Sequence, residues 1–133
     1  MYLFLKRLVE ENLVDYVAMD IKNSKKFYNE TAGIEKLELN EIEKSVAYLK
    51  ENHVDYEFRT TVVKEYHEKC NFKEIGEWLS GAKRYFLQNF EDHGTCIKEG
   101  LNALEVSQII KIKETLAPYV EYIEIRGVEE GEK

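Results

Sequence analysis

Apolar residues along this chain change their period several times, and each change marks an element. Leu5, Leu8, Val9 and Leu13 recur three and four apart with Lys6, Arg7, Glu10 and Glu11 between them, which predicts a helix. The run from Asp15 to Ile21 follows at once. Rich in Val, Ile and Tyr and too short for an independent helix, it reads as a buried strand of a parallel sheet. Alternate side chains of a strand share a face, so Val17, Met19 and Ile21 point one way and Tyr16, Ala18, Asp20 and Lys22 the other. The polar stretch 23–33 reads as a loop.

A second helix is expected from about Glu41 to Asn52. Asn40 and Glu43 suggest its capping box, and Ile42, Val46 and Leu49 its buried stripe. The strand from Val54 to Val63 alternates clearly. Tyr56, Phe58, Thr60 and Val62 fall on one face, and Asp55, Glu57, Arg59 and Thr61 on the other. If that strand is internal, the face with Glu57 and Arg59 must line a polar cavity, because unpaired buried charge is too costly. A helix over Phe72–Leu79, ended by Gly81, leads to a strand over Arg84–Phe90 with Gln88 and Asn89 near its carboxyl end. The loop 91–100 follows, then the capping pair Asn102 and Glu105 and a helix over Leu104–Leu116. That helix should bury Val106, Ile109, Ile112 and Leu116 and stop at Pro118. The last strand, Val120–Arg126, sets Ile123 and Ile125 against Glu124 and Arg126. The acidic end, about 129–133, reads as frayed.

The order predicts an α/β fold of parallel βα repeats in a single domain over residues 1–133. Four strands suit a small open sheet or an arc of a barrel, and the polar face at Asp55–Arg59 favours an arc around a cavity.

Composition narrows the class of partner. The chain has 133 residues, 44% hydrophobic and 34% charged, which suits one globular domain. A net charge of -7 and a pI near 5.1 argue against nucleic acid, since phosphate binding needs a basic surface. No apolar run reaches the roughly 18 residues of a membrane span, so no membrane partner is expected. The first residues lack the layout of a secretory signal, and with Cys70 and Cys96 as the two cysteines a reduced, cytoplasmic protein is expected.

Several chemical signatures are missing. There is no Gly-rich phosphate loop, no G-x-G-x-x-G and no G-x-S-x-G elbow. His67-x-x-Cys70 and His93-x-x-Cys96 follow the second and third strands, and two imidazoles with two thiolates could hold zinc. Structural zinc sites usually have tighter loops, so two loop histidines and two small thiols are the preferred reading. Asp20 and Lys22 end a buried strand where α/β folds keep their ligands, although a solvent-facing ion pair explains them equally well.

Four segments, taken in order, carry a resemblance: Asp15–Lys22 (DYVAMDIK), Asp55–Val63 (DYEFRTTVV), Ala82–Phe90 (AKRYFLQNF) and Glu124–Gly127 (EIRG). They resemble successive motifs of radical S-adenosylmethionine (SAM) activating proteins. The likeness is nearest to those that activate anaerobic ribonucleoside-triphosphate reductase, relatives of the pyruvate formate-lyase activating enzyme. The resemblance implies roughly half of a partial (β/α)6 barrel, and a complete protein in which a [4Fe-4S] cluster cleaves SAM to a radical. That radical takes hydrogen from a glycine of the partner, a glycyl radical enzyme, here anaerobic ribonucleotide reductase. It places Asp20 and Lys22 at the SAM methionine carboxylate, with a monovalent cation held by Asp20 and the Ala18 carbonyl. It also places Arg59 and Gln88 at the cofactor, and His67 just past the second strand.

The chain departs from the family at one point that matters for activity. The cluster motif Cys-x-x-x-Cys-x-x-Cys does not occur, and Cys70 and Cys96 are too few to replace it. The expectation is therefore a carboxyl-terminal half that contributes to a SAM pocket, is inactive alone, pairs with an amino-terminal half of the barrel, and exposes an unpaired strand edge through which it forms a homodimer. A non-catalytic partner-binding half-barrel and a zinc-stabilised α/β domain are the alternatives.

Overall fold

Strand pairing follows directly from the period-two faces. In the computed structural model, which describes residues 2–25, 36–67, 71–90 and 102–126, four parallel strands lie in the order β1-β2-β3-β4. These are β1 (Tyr16–Asp20), β2 (Asp55–Val62), β3 (Arg84–Asn89) and β4 (Tyr122–Arg126). Helices alternate with them: α1 (Tyr2–Glu10), α2 (Lys36–Lys50), the short α3 (Lys64–His67), α4 (Phe72–Leu79) and α5 (Val106–Leu116), followed by a 3-10 turn at Ala117–Tyr119. No described helix is long and apolar enough to cross a membrane.

One face of the sheet is core. Met19, Tyr56, Phe58, Val62, Tyr85 and Leu87 are buried against Ile42, Val46 and Leu49 of α2, Ile75 and Leu79 of α4, and Ile109 and Leu116 of α5. Burial of each such side chain is worth about 1.5–3 kcal/mol, so this one-sided layer is the main source of stability. Gly76 of α4 is buried because the Tyr119 ring lies against its Cα: a Cβ there would sit 2.8 Å from Tyr119 Cε2.

Among the described residues the expected strands and longer helices are present and most differences lie at their ends, while most of the loop 23–33, the loop 91–100 and the end 129–133 lie outside the described residues. The first helix starts at Tyr2 and stops at Glu10, before Leu13. Asn12 takes φ 55, its N–H bonds Val9 O at 3.1 Å, and the Leu13 N–H bonds Leu8 O at 2.9 Å. This reversal is a Schellman motif, and it leaves Leu13 63% exposed instead of buried. Asn40 caps nothing, because α2 begins at Lys36 and carries Asn40 inside it. For α5 the capping partner is Glu105, whose N–H donates to Gln108 Oε1 at 3.0 Å. Asn102 is instead held by Glu65, which accepts from its N–H at 2.7 Å and from Nδ2 at 2.9 Å and whose own pKa these bonds lower. Starting at Val106, α5 turns that residue outward rather than into the core. The stretch after Val63, read as loop, opens with the turn of helix α3.

Candidate functional site

The other face of the sheet carries no described helix and is polar. Register sets its side chains in rows: Ala18, Glu57, Arg84 and Tyr122, then Asp20, Arg59, Phe86 and Glu124, then Thr61, Gln88 and Arg126. The last two rows lie at the carboxyl ends of the strands, where parallel α/β sheets bind ligands. Asp20, Arg59, Thr60, Thr61, Phe86, Gln88 and Arg126 line a cavity of about 250 Å³ there.

Asp20 is the hub of a charge cluster. Its Oδ1 lies 3.2 Å from Arg59 Nη2 and its Oδ2 3.6 Å from Lys22 Nζ, with all three side chains about half exposed (50%, 45% and 52%). Such exposed pairs contribute only about 0–1 kcal/mol, so a ligand can exchange for them at little cost. The backbone beneath is fixed far more firmly. The Ile21 N–H bonds Arg59 O at 2.6 Å, Thr60 Oγ1 donates to Ile21 O at 2.6 Å, and the Tyr85 hydroxyl lies 2.6 Å from Thr60 Oγ1.

His67 holds the next carbonyl. Its Nε2 lies 2.9 Å from Lys22 O and its Nδ1 2.9 Å from Val63 N. A ring that is neutral and protonated at Nε2 satisfies both contacts, with Nδ1 accepting from the Val63 amide. Burial, at 4% exposure, pushes its pKa below the usual histidine value, although the carbonyls of Lys22 and of Val63, the latter 3.0 Å from Nδ1, favour the charged ring and oppose this.

A second cluster crosses the sheet. The Glu57 side chain, 9% exposed, accepts from the Tyr16 hydroxyl at 2.9 Å and lies 3.3 Å from Arg126 Nη1. The Arg126 guanidinium lies 3.6 Å above the centre of the Phe86 ring, a close cation–π contact. Tyr16 has its pKa raised, first by desolvation and then by the hydrogen bond and charge of Glu57.

Of the four residues expected at the cofactor, Asp20, Arg59 and Gln88 line the cavity, and Lys22 joins them through its pair with Asp20. Arg126 and Phe86 were missed as site residues, although the alternation in β4 already put Arg126 on the charged face. What pattern alone lacks is the register that sets Arg126 beside Gln88. Glu57 does not line the cavity; it is buried beneath Arg126. Phe86 is 7% exposed, and Arg126 lies over it. The four-residue zinc arrangement loses His67, whose ring nitrogens both face backbone groups; Cys70, His93 and Cys96 lie outside the described residues. Among the described residues no group of three or more His, Cys, Asp or Glu could hold a metal ion.

These features define a parallel α/β sheet with helices on one face and a charged, ligand-sized cavity at the strand ends of the other. Among solved structures the fold is similar to a domain of pyruvate-formate lyase-activating enzyme from Bacteroides vulgatus ATCC 8482. The TM-score is 0.66 over 92% of this chain and 74% of that one, at 15% sequence identity. No family model and no curated protein matches the chain.

Proposed function

We propose that this chain supplies the carboxyl-terminal strands of a radical SAM protein that activates a glycyl radical enzyme, with anaerobic ribonucleotide reductase as its partner. The observation that carries the reading is the meeting of Asp20, Lys22, Arg59 and Gln88 at the strand ends of a sheet shaped like an activating-enzyme domain. The donor set suits the amino-acid end of SAM. Lys22 and Arg59 match a carboxylate, and Asp20 matches an ammonium group. A cavity of about 250 Å³ lies just under the usual 300–1,000 Å³ of small-molecule sites, enough for that end and not for the nucleoside as well.

The residues present do not fit a [4Fe-4S] cluster. Cluster irons are held by cysteine thiolates, and two cysteines fall short of the set required. The reading therefore assigns this chain binding and orientation of SAM, not its cleavage. Isothermal titration with SAM tests it. Lys22→Ala and Arg59→Ala should each weaken binding by about 1–3 kcal/mol, as expected for lost charge-assisted hydrogen bonds. Unchanged affinity in both variants defeats the assignment, and a stable [4Fe-4S] absorbance after anaerobic treatment with iron and sulfide would defeat the division of labour.

A further inference from the structure

We propose that Arg126 forms a second anion-holding position on the open face, for a carboxylate of the molecule that lies beside the amino-acid site. The proposal depends on the SAM reading only for the identity of the neighbouring ligand. Arg126 ends β4 and Arg59 stands near the end of β2, so one strand separates them and, with a two-residue offset in register, their backbones lie about 12 Å apart at the usual strand spacing and rise. Both guanidinium groups line the same cavity, with Gln88 and Thr61 between them. Lys22, Arg59 and Arg126 are matched on this face by Asp20, Glu57 and Glu124, so the cationic groups here are held locally against the net charge of -7 that the chain carries.

Arg126 is already set for planar recognition. Phe86 supports one face of the guanidinium at 3.6 Å, and Glu57 takes one corner, Nη1, at 3.3 Å. Glu57 is kept in place by Tyr16 and by its own burial. Among the described residues Glu57 is the one hydrogen-bond partner of the Arg126 side chain, which remains 46% exposed. The remaining N–H groups form a fork that matches a carboxylate in two-point fashion, and little rotamer freedom is left to lose on binding. Glu57 is thus a positioning residue for Arg126.

The full chain can be tested by NMR, because its four arginines allow each Nε–H signal to be assigned by single substitution. N-acetylglycine, a small carboxylate, should shift the Arg126 Nε–H signal and the Phe86–Gln88 amides along a saturable curve. Arg126→Lys, which keeps the charge and loses the fork together with its Nε–H signal, should weaken the response of the Phe86–Gln88 amides about tenfold. Arg7→Gln, on α1 where it pairs with Glu11, should leave it within about twofold. A response that does not saturate, or that chloride reproduces at equal ionic strength, overturns the proposal. So does one that survives Arg126→Lys and disappears in Arg59→Gln. SAM separates the two readings. If SAM leaves Arg59 unmoved while N-acetylglycine saturates at Arg126, the SAM reading fails and this position stands. If SAM shifts Arg59 and N-acetylglycine does nothing at Arg126, the position fails alone.

Discussion

Substituting the two partners of the Glu57–Arg126 pair, singly and together, should give unequal costs. Glu57→Gln keeps the shape and can still accept one hydrogen bond, but it removes the charge that both donors see. A charged hydrogen bond is worth about 1.5–3 kcal/mol against about 0.5–1.5 for a neutral one, so each contact weakens by about 1 kcal/mol. Arg126 is 46% exposed, and solvent reduces its share. The sum expected is about 1–2 kcal/mol. Arg126→Gln is worse, because the 9% exposed carboxylate keeps only the Tyr16 hydroxyl, and an under-satisfied buried acceptor costs about 1–3 kcal/mol. The double variant replaces an ion pair with two amides and should recover about 1 kcal/mol as coupling. Urea unfolding at neutral pH with matched slopes measures all three. The reasoning is refuted if Glu57→Gln costs more than Arg126→Gln, or if the coupling falls below about 0.3 kcal/mol. Tyr16 gives a second readout. Burial contributes most to its raised pKa and Glu57 the next share, so Glu57→Gln should bring its titration down toward the ordinary tyrosine value without restoring it fully.

Gly76→Ala should destabilise the fold by about 1–3 kcal/mol, as overpacking does, despite the better helix propensity of Ala, since the new Cβ would overlap the Tyr119 ring. Urea midpoints check this, and a stabilised variant would mean that the ring swings aside freely. For His67 the sign follows from burial: its folded pKa lies below the 6.5 of the free side chain, so the unfolded chain takes up the proton first as pH falls. Its contribution to stability is intact above pH 6.5 and is lost as pH falls through the folded value. His67→Gln should flatten the slope of urea midpoint against pH just below 6.5, and an unchanged slope would mean another group causes it.

The sheet was legible in the sequence because period-two alternation is a local property. Tyr56, Phe58, Thr60 and Val62 read as one face and are all buried, with Asp55, Arg59 and Thr61 exposed opposite them. Glu57 breaks the pattern. Its burial depends on Tyr16 from β1 and Arg126 from β4, which no local window connects. Helix ends were harder to read, because they depend on competition among several plausible caps. Asn12 and Asn52 take positive φ and end their helices, whereas Asn40, the same residue type, lies within α2. Asn102 resembles a cap in sequence, yet the Glu65 carboxylate claims both its backbone and side-chain donors. The site was half visible for the same reason. Asp20, Lys22 and Arg59 stand out as charges at strand ends, but that Gln88 neighbours Arg126 is a matter of register.

The open face separates two kinds of ion pair, and the separation bears on function. Asp20 with Lys22 and Arg59 is half exposed and adds little to stability, so these groups can turn to an incoming zwitterion without unfolding anything. The carbonyls of Ile21 and Lys22 beneath them are meanwhile fixed by Thr60 and His67, so the exchange moves side chains and leaves the strand end in place. Glu57 is the opposite case. It is buried, and without Arg126 it would be an under-satisfied charge, so it cannot release that partner cheaply. A ligand at Arg126 must therefore share the guanidinium with Glu57, whereas a ligand at Arg59 can displace Asp20. Binding at the two ends of one cavity should thus differ in salt dependence, steeper at the exposed Asp20 cluster and shallower where Glu57 and Phe86 shield Arg126.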